Sequence, residues 1–138
     1  MDEKNVLSEL YKIVAMGIIG IDEVSGHISS KVLAKTMIDA KKKYTVYKTD
    51  IAKMINDLGD EAVDINIIIK MFNKIYTKAE LITSNDSKIA KMLIEGTNKG
   101  IIKIEEILNL DLDKKVEKIA KEILDLLEYQ IKSWKSYL

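Results

Sequence analysis

The side chains that most often carry out catalysis are scarce in this chain. It has no cysteine and a single histidine, His27, so a thiolate nucleophile is excluded and only one imidazole is available as a general base. A catalytic histidine needs a partner that orients its ring, whereas His27 follows Gly26 at a predicted turn. We therefore interpret His27 as a surface or capping residue.

Carboxylates on a later predicted helix form the other acid–base candidate. Glu95 lies on the flank of an apolar stripe, and Glu105 and Glu106 face away from that stripe. Charged residues on amphipathic helices are usually solvated, so a solvated face is preferred over a paired-acid site. We predict no enzymatic activity and no cofactor.

Lysines cluster on the second predicted helix. Lys41, Lys42 and Lys43 are consecutive, with Tyr44 and Tyr47 close behind, which is the pattern of a candidate anion-binding patch. The chain balances 22 basic with 22 acidic residues, and every basic residue is a lysine, so arginine readout of guanine or phosphate is unavailable. A solvated face is favoured and no specific nucleic acid is expected. A small regulatory module that binds an anionic partner through this helix stays an alternative.

The longest apolar run covers residues 13–21, well short of the roughly 20 residues that cross a bilayer. Acidic residues precede and follow the run, which disfavours a secretory signal. The absence of cysteine permits a reducing compartment, and the many Ile, Lys and Asn residues are typical of AT-rich bacterial genomes. We expect no membrane association and a cytoplasmic location in a bacterium.

Apolar residues recur at helical spacing along almost the whole chain. They predict helices over residues 5–25, 31–58, 64–83 and 87–108, with Gly59 ending the second. A fifth helix carries the inward positions Val116, Ile119, Ala120, Ile123, Leu126, Leu127, Gln130, Trp134 and Leu138. The candidate caps are Ser29 or Ser30 for the second helix, Ser84 or Asp86 for the fourth, and Asp111 or Asp113 for the fifth. A length of 138 residues suits one domain. We predict a single all-α domain over residues 1–138.

Three segments of the chain resemble a known family. They read VLSELYKIVAMGIIG at 6–20, INDLGDE at 55–61 and NDSKIAKMLIEGTNKGIIKIEEIL at 85–108. With two long helices, a shorter one and two more long ones, the chain is similar to small bacterial ferritin-like bundles. This resemblance implies an up-down four-helix bundle in which the shorter third helix is the crossover.

The resemblance does not extend to the metal site. Ferritin-like enzymes hold two metal ions with inward glutamates and Glu-x-x-His motifs, and this chain has no such motif. Alignment of the apolar stripes brings Met16, the lysines at 41–43, Thr97 and Gln130 to the level of the ligands. None of these is a carboxylate or an imidazole. We therefore predict a non-enzymatic ferritin-like binding or structural protein without a metal site, and the alternative is a metal-dependent oxidase or storage protein whose ligands lie elsewhere.

Glycines inside the predicted helices indicate where a ligand would bind. Gly17, Gly20, Gly96 and Gly100 each cost about 1 kcal/mol relative to alanine in a helix interior. Close helix packing, or a small ligand between helices, would offset that cost. The candidate pocket comprises Met16, Gly17, Thr97, Gly100 and Gln130.

The third predicted helix carries more apolar residues than one buried face requires. The residues assigned to that face are Ile65, Ile68, Ile69, Phe72, Ile75, Tyr76, Ala79 and Ile82. Ile67, Met71 and Leu81 lie off it and would leave an exposed apolar patch. A two-fold dimer would cover such a patch, so we predict a homodimer with Ile67 and Met71 at the contact, unless the fifth helix covers them.

Overall fold

The computed structural model describes residues 2–76 and 85–138, and within these ranges every regular element is helical. They contain five α-helices, which are α1 (Glu3–Val24), α2 (Lys31–Asp57), α3 (Ile65–Ile75), α4 (Asp86–Leu108) and α5 (Lys114–Trp134). Short 3-10 turns follow α1 at Ser25–His27 and α5 at Lys135–Tyr137. The all-α prediction is confirmed, with five helices in the predicted order.

Each helix is preceded by a residue whose side chain accepts a hydrogen bond from a backbone N–H group of the first turn. This bond satisfies one of the N–H donors that have no partner within the helix. The capping residues are Asp2, Ser30, Asp64, Asn85 and Asp113. Ser30 and Asp113 were among the predicted caps. The prediction for α4 was wrong, because Asn85 caps it while the Asp86 side chain bonds elsewhere, and Ser84 lies outside the described residues.

Asp86 is the first residue of α4 and holds the turn between α1 and α2. Its two carboxylate oxygens accept hydrogen bonds from the backbone N–H groups of Ser29 at 2.8 Å and Ser30 at 2.9 Å. Hydrogen bonds to a carboxylate are stronger than those between neutral groups. They therefore fix the start of α4 against a turn that lies 56 to 57 positions earlier in the chain.

The helix directions follow from pairs of neighbouring side chains. Lys41 of α2 forms an ion pair with Asp22 of α1 at 2.6 Å, whereas Lys48, further along α2, lies over the ring of Tyr11, nearer the start of α1. The two helices are therefore antiparallel.

The same reasoning applies to α1 and α4. A Cβ atom at Gly20 would lie 3.7 Å from Leu93, and one at Gly100 would lie 3.3 Å from Ile13. The sequence number rises along one helix as it falls along the other, so α4 is also antiparallel to α1. The helix α1 also contacts α3 and α5, which makes it the central helix of the fold.

The buried faces match the predicted stripes best in α5. All eight core positions predicted before its end are buried, namely Val116, Ile119, Ala120, Ile123, Leu126, Leu127, Gln130 and Trp134. Leu138 was also assigned inward, but it is 61% exposed because it lies beyond the final 3-10 turn. In α1 buried residues lie on more than one side of the helix, including Tyr11, Ala15 and Val24, because this helix has neighbours on several sides.

The third helix is shorter than predicted. It ends at Ile75, and Tyr76 is already in an extended conformation. The predicted continuation through residue 83, with its apolar residues at 79, 81 and 82, lies outside the described residues. Among the described residues of its assigned face, only Ile68 and Phe72 are buried, while Ile65 and Ile69 are each 37% exposed. The predicted face was too wide because α3 packs chiefly on α1 alone.

Within residues 2–76 and 85–138, no helix combines the length and the hydrophobicity needed to cross a membrane.

Candidate functional site

A cavity of about 260 Å³ lies between α1, α3 and α4, and we call it the central cavity. Met16 and Gly17 of α1 line it together with Thr97 and Gly100 of α4. Four of the five residues proposed as an inter-helix pocket thus surround one space. Phe72 of α3 and side chains of α2 and α5 complete its wall, and most of that wall is apolar.

Gln130, the fifth proposed residue, does not line the central cavity. It lies at a separate cavity of about 110 Å³ between α2 and α5, together with Thr36, Asp39 and Ser133. Tyr44 connects the two spaces, since it lines the central cavity and its hydroxyl donates a hydrogen bond to Oε1 of Gln130.

Three of the four helical glycines are packed closely against neighbours. A Cβ atom at Gly17 would lie 2.7 and 2.8 Å from two ring carbons of Tyr44, closer than real Cβ contacts. At Gly96 it would lie 3.0 Å from the hydroxyl of Tyr76. Gly100 lies between α1 and α5, with two carbon atoms 3.3 Å from the position of its missing Cβ.

Gly20 is different because a Cβ atom fits there. Its nearest neighbours would be Phe72 at 3.6 Å and Leu93 at 3.7 Å, which are ordinary van der Waals distances. Gly20 also lines the central cavity. Packing therefore does not require glycine at this position, and the missing side chain leaves space in the cavity.

The central cavity has an apolar end and a charged end. Gly20, Phe72 and Leu93 lie together at the apolar end. Because α1 and α4 are antiparallel, the charged lining residues of both helices fall at the opposite end. These residues are Glu9, Lys12, Lys99 and Lys103.

The charged end carries a net positive charge. Lys12 is paired with Glu9 at 3.5 Å, so these two charges offset each other. Lys103 has Glu106 at 3.9 Å, a partner that is 64% exposed and does not line the cavity. Within the described residues Lys99 forms no ion pair, and it also lines a wider groove on the surface of α4.

Tyr44 and Gln130 form a polar pair within the apolar core. Tyr44 is 2% exposed and Gln130 is 3% exposed. Burial raises the pKa of the Tyr44 phenol far above its usual range, and the hydrogen bond to Gln130 opposes that rise only in part. Tyr44 is thus a neutral donor at any physiological pH. The Nε2 group of Gln130 is buried and has no hydrogen-bond partner in the described structure.

The other candidates from the sequence do not form a common site. His27, Glu95, Glu105 and Glu106 are all exposed. In the part of the chain that the structure describes, no three His, Cys, Asp or Glu side chains are grouped so that they could hold a metal ion.

The lysine patch of α2 is divided between different contacts. Lys41 is paired with Asp22, and Lys43 lies over the ring of Tyr129 at 5.8 Å from its centroid. Lys42 is exposed. The three side chains therefore do not converge on one point.

Sequence reasoning missed most of the charged and aromatic lining of the central cavity. Tyr44 was singled out beside the lysines of the second predicted helix, and Lys12, Lys99 and Lys103 were not singled out. The available signal was spacing, since Lys99 and Lys103 are one helical turn apart and flank Gly100.

No protein-family model matches this chain, and no curated protein matches it at a significant level. The resemblance to ferritin-like bundles therefore stays a prediction from sequence pattern.

Proposed function

We propose that this chain is a non-enzymatic binding protein that takes a small, mostly apolar molecule into the central cavity. The observation that carries the proposal is the cavity itself, about 260 Å³ of space lined mainly by apolar residues and glycines. Ligand sites are typically concave and apolar with a few polar groups, and this volume is near the lower end of their usual range. A ligand of modest size is therefore expected.

The chemistry of the lining supports binding over catalysis. The cavity contains no cysteine and no histidine, and the Tyr44 phenol cannot ionise near neutral pH. Among the described lining residues, no hydroxyl or thiol nucleophile lies beside a histidine base. A molecule that enters would be held and released unchanged.

We further propose that the fold is a ferritin-like bundle that acts without a metal site. The antiparallel pairing of α1 with both α2 and α4 supports this topology, because α3 must then carry the chain back between two parallel helices. The positions expected at the level of the metals support the loss of that site, since Met16 and Thr97 line an apolar cavity. We also propose a cytoplasmic location, because the absence of cysteine is compatible with a reducing compartment.

Binding is tested by filling the cavity. Gly20→Met extends a flexible apolar side chain from a position where a Cβ fits, and Gly20→Ala is the matched control that adds one methyl group. We expect the wild type and Gly20→Ala to bind a short-chain alcohol such as octanol by isothermal titration calorimetry, and Gly20→Met to lose that binding while its circular dichroism is unchanged. Octanol binding that is equal in all three proteins would place the ligand elsewhere, and no binding to the wild type would refute the proposal.

The metal-dependent alternative is tested by elemental analysis of protein purified without chelator. We expect substoichiometric iron, manganese and zinc, because Met16, Thr97 and Gln130 offer no carboxylate or imidazole. Two metal ions per chain would replace our proposal with the oxidase or storage alternative.

The regulatory alternative requires an anionic partner on α2. It predicts binding to polyanions that weakens with salt and is lost in Lys42→Gln/Lys43→Gln. We favour the cavity, because Lys41 is already engaged by Asp22.

We also propose that α3 mediates a homodimer. Ile67 is 53% exposed, and Met71, which also lines the central cavity, is 37% exposed, so both flank the buried Ile68 and Phe72 of α3. Light scattering on dilute protein should give twice the chain mass of 15.7 kDa, and Met71→Lys should restore the single mass. A mass near 15.7 kDa for the wild type would refute the dimer.

A further inference from the structure

We propose that the natural ligand is an amphipathic anion, with an apolar chain in the central cavity and a carboxylate or phosphate held by Lys99 and Lys103. This inference rests on the proposed function, since it names the class of ligand that the same cavity would take. It depends on the separation of apolar and charged residues along one axis of the cavity.

The apolar end provides the space for the chain. Gly20 leaves room between Phe72 and Leu93, and the described lining residues include no charged side chain at this end. From Leu93 to Lys99 along α4 is six residues, or roughly 9 Å at the rise of an α-helix. That distance matches a medium-chain acyl group lying along α4.

The charged end determines which charge the head group of the ligand must carry. The pair of Lys12 and Glu9 contributes no net charge, so Lys99 and Lys103 determine the field at this end. Glu106 offsets part of the charge of Lys103, but it does not line the cavity, and Lys99 has no ion-pair partner among the described residues.

The wider groove on the surface of α4 is also positively charged, like the charged end of the cavity. It adjoins the central cavity through the shared residues Tyr76, Gly96 and Lys99, and its other charged residues are Lys88, Lys91 and Glu95. An anionic group that reaches the cavity from this side therefore meets an excess of lysines along its path. A cationic group would be repelled at the same place.

The head group is tested with three ligands that share one chain. Octanoate, octanol and octylammonium are titrated into the full chain by calorimetry at low salt. We expect octanoate to bind about tenfold to a hundredfold more tightly than octanol, which is the usual worth of a hydrogen bond to a charged group. Octylammonium should bind most weakly. Octyl phosphate should share the advantage of octanoate, and the tighter of the two identifies the natural head group.

Two double substitutions test whether Lys99 and Lys103 bind the head group. Lys99→Gln/Lys103→Gln should reduce the affinity for octanoate to that for octanol and leave octanol binding unchanged. Lys114→Gln/Lys118→Gln is the matched control, because it removes the same charge at the same spacing from an exposed part of α5 that does not line the cavity. It should keep the preference for octanoate.

The possible failures are distinguishable. If octanol binds as tightly as octanoate, the head-group assignment is wrong while the cavity still binds apolar ligands. If octylammonium binds best, the sign of the charged end is wrong. If none of the ligands binds, the proposed function fails as well. A series of hexanoate, octanoate and decanoate adds a further check, since affinity should rise about fourfold per methylene until the apolar end is filled.

Discussion

The contrast between Gly17 and Gly20 gives the most direct test of the packing around the cavity. Both are interior residues of α1, so replacement by alanine should gain about the same helix propensity, up to about 1 kcal/mol, at each position. The tertiary surroundings differ. The new methyl group at Gly20 would lie at ordinary contact distance from its neighbours, whereas at Gly17 it would lie 2.7 and 2.8 Å from carbon atoms of the Tyr44 ring.

The Tyr44 ring cannot easily move aside. Optimal separations between carbon atoms begin near 3.5 Å, so the ring would have to shift by about 0.7 Å. Tyr44 is buried and its hydroxyl is bonded to Gln130. Overpacking of this kind typically costs about 1 to 3 kcal/mol.

We therefore expect Gly20→Ala to be as stable as the wild type or more stable, and Gly17→Ala to be less stable. The difference between the two variants should be about 1 to 3 kcal/mol in the free energy of unfolding, because the propensity gain cancels in the comparison. In thermal unfolding this corresponds to roughly 4 to 12 °C in Tm for a domain of this size. Urea titration followed by circular dichroism gives the free energies directly.

A double-mutant cycle isolates the contact. In a Tyr44→Leu background, which is itself destabilised, Gly17→Ala should no longer carry a penalty, because the ring that it meets is gone. If Gly17→Ala is as stable as Gly20→Ala in the wild-type background, the ring does not lie against Gly17, and the assigned wall of the cavity is wrong.

Three further outcomes are expected. Tyr44→Phe leaves both polar groups of Gln130 unpaired and should cost about 1 to 3 kcal/mol in urea unfolding, whereas Tyr44→Phe/Gln130→Leu should recover much of that loss. Because the pKa of Tyr44 is raised in the folded state, the folded chain holds a proton that the unfolded chain releases above about pH 10, so stability should fall as pH rises beyond that value. Tyrosinate absorbance during a pH titration should show Tyr44 ionising only together with unfolding. Gly100→Leu should overpack the junction with Ile13 and Leu127 and lower stability by roughly 1 to 3 kcal/mol, and an unchanged Tm would place that face in solvent.

The sequence predicted the buried face of α5 best. The α5 stripe repeats every three to four residues because this helix turns one face to the core, and each interior position assigned to that face is buried. Gly59 was also predicted correctly as the end of α2, and its φ of +77° explains why glycine is needed there.

The structure brings together four of the five residues of the candidate pocket and separates Gln130 from them. Periodicity brought Gln130 to the right level along α5, but the residue of that helix at the central cavity is Leu127. Three residues along a helix change the direction of a side chain by about 60°. Gln130 therefore faces α2 instead, where Tyr44 meets it. A single sequence does not reveal which of two neighbouring helices such a residue faces.

The charged end of the cavity was missed for a related reason. Lys99 and Lys103 have the spacing of an ordinary solvated helix face, and only the antiparallel approach of α1 brings Lys12 and Glu9 beside them. Periodicity within one helix contains no information about the register of its neighbour. The width of the buried face of α3 was overestimated because periodicity also does not show how many neighbours a helix has.

The carboxylate of Asp86 makes two amide protons into reporters of motion between the halves of the chain. Ser29 is exposed, yet its N–H group and that of Ser30 are bonded to the start of α4. Neither proton can exchange with solvent deuterium until that bond opens, so their exchange should be slower than exposure alone would suggest. Opening requires either rotation of the Asp86 side chain or separation of the first turn of α4 from the α1–α2 turn. The exchange rates of these two amides thus set an upper limit on how often the second half of the chain detaches from the first at this end of the molecule.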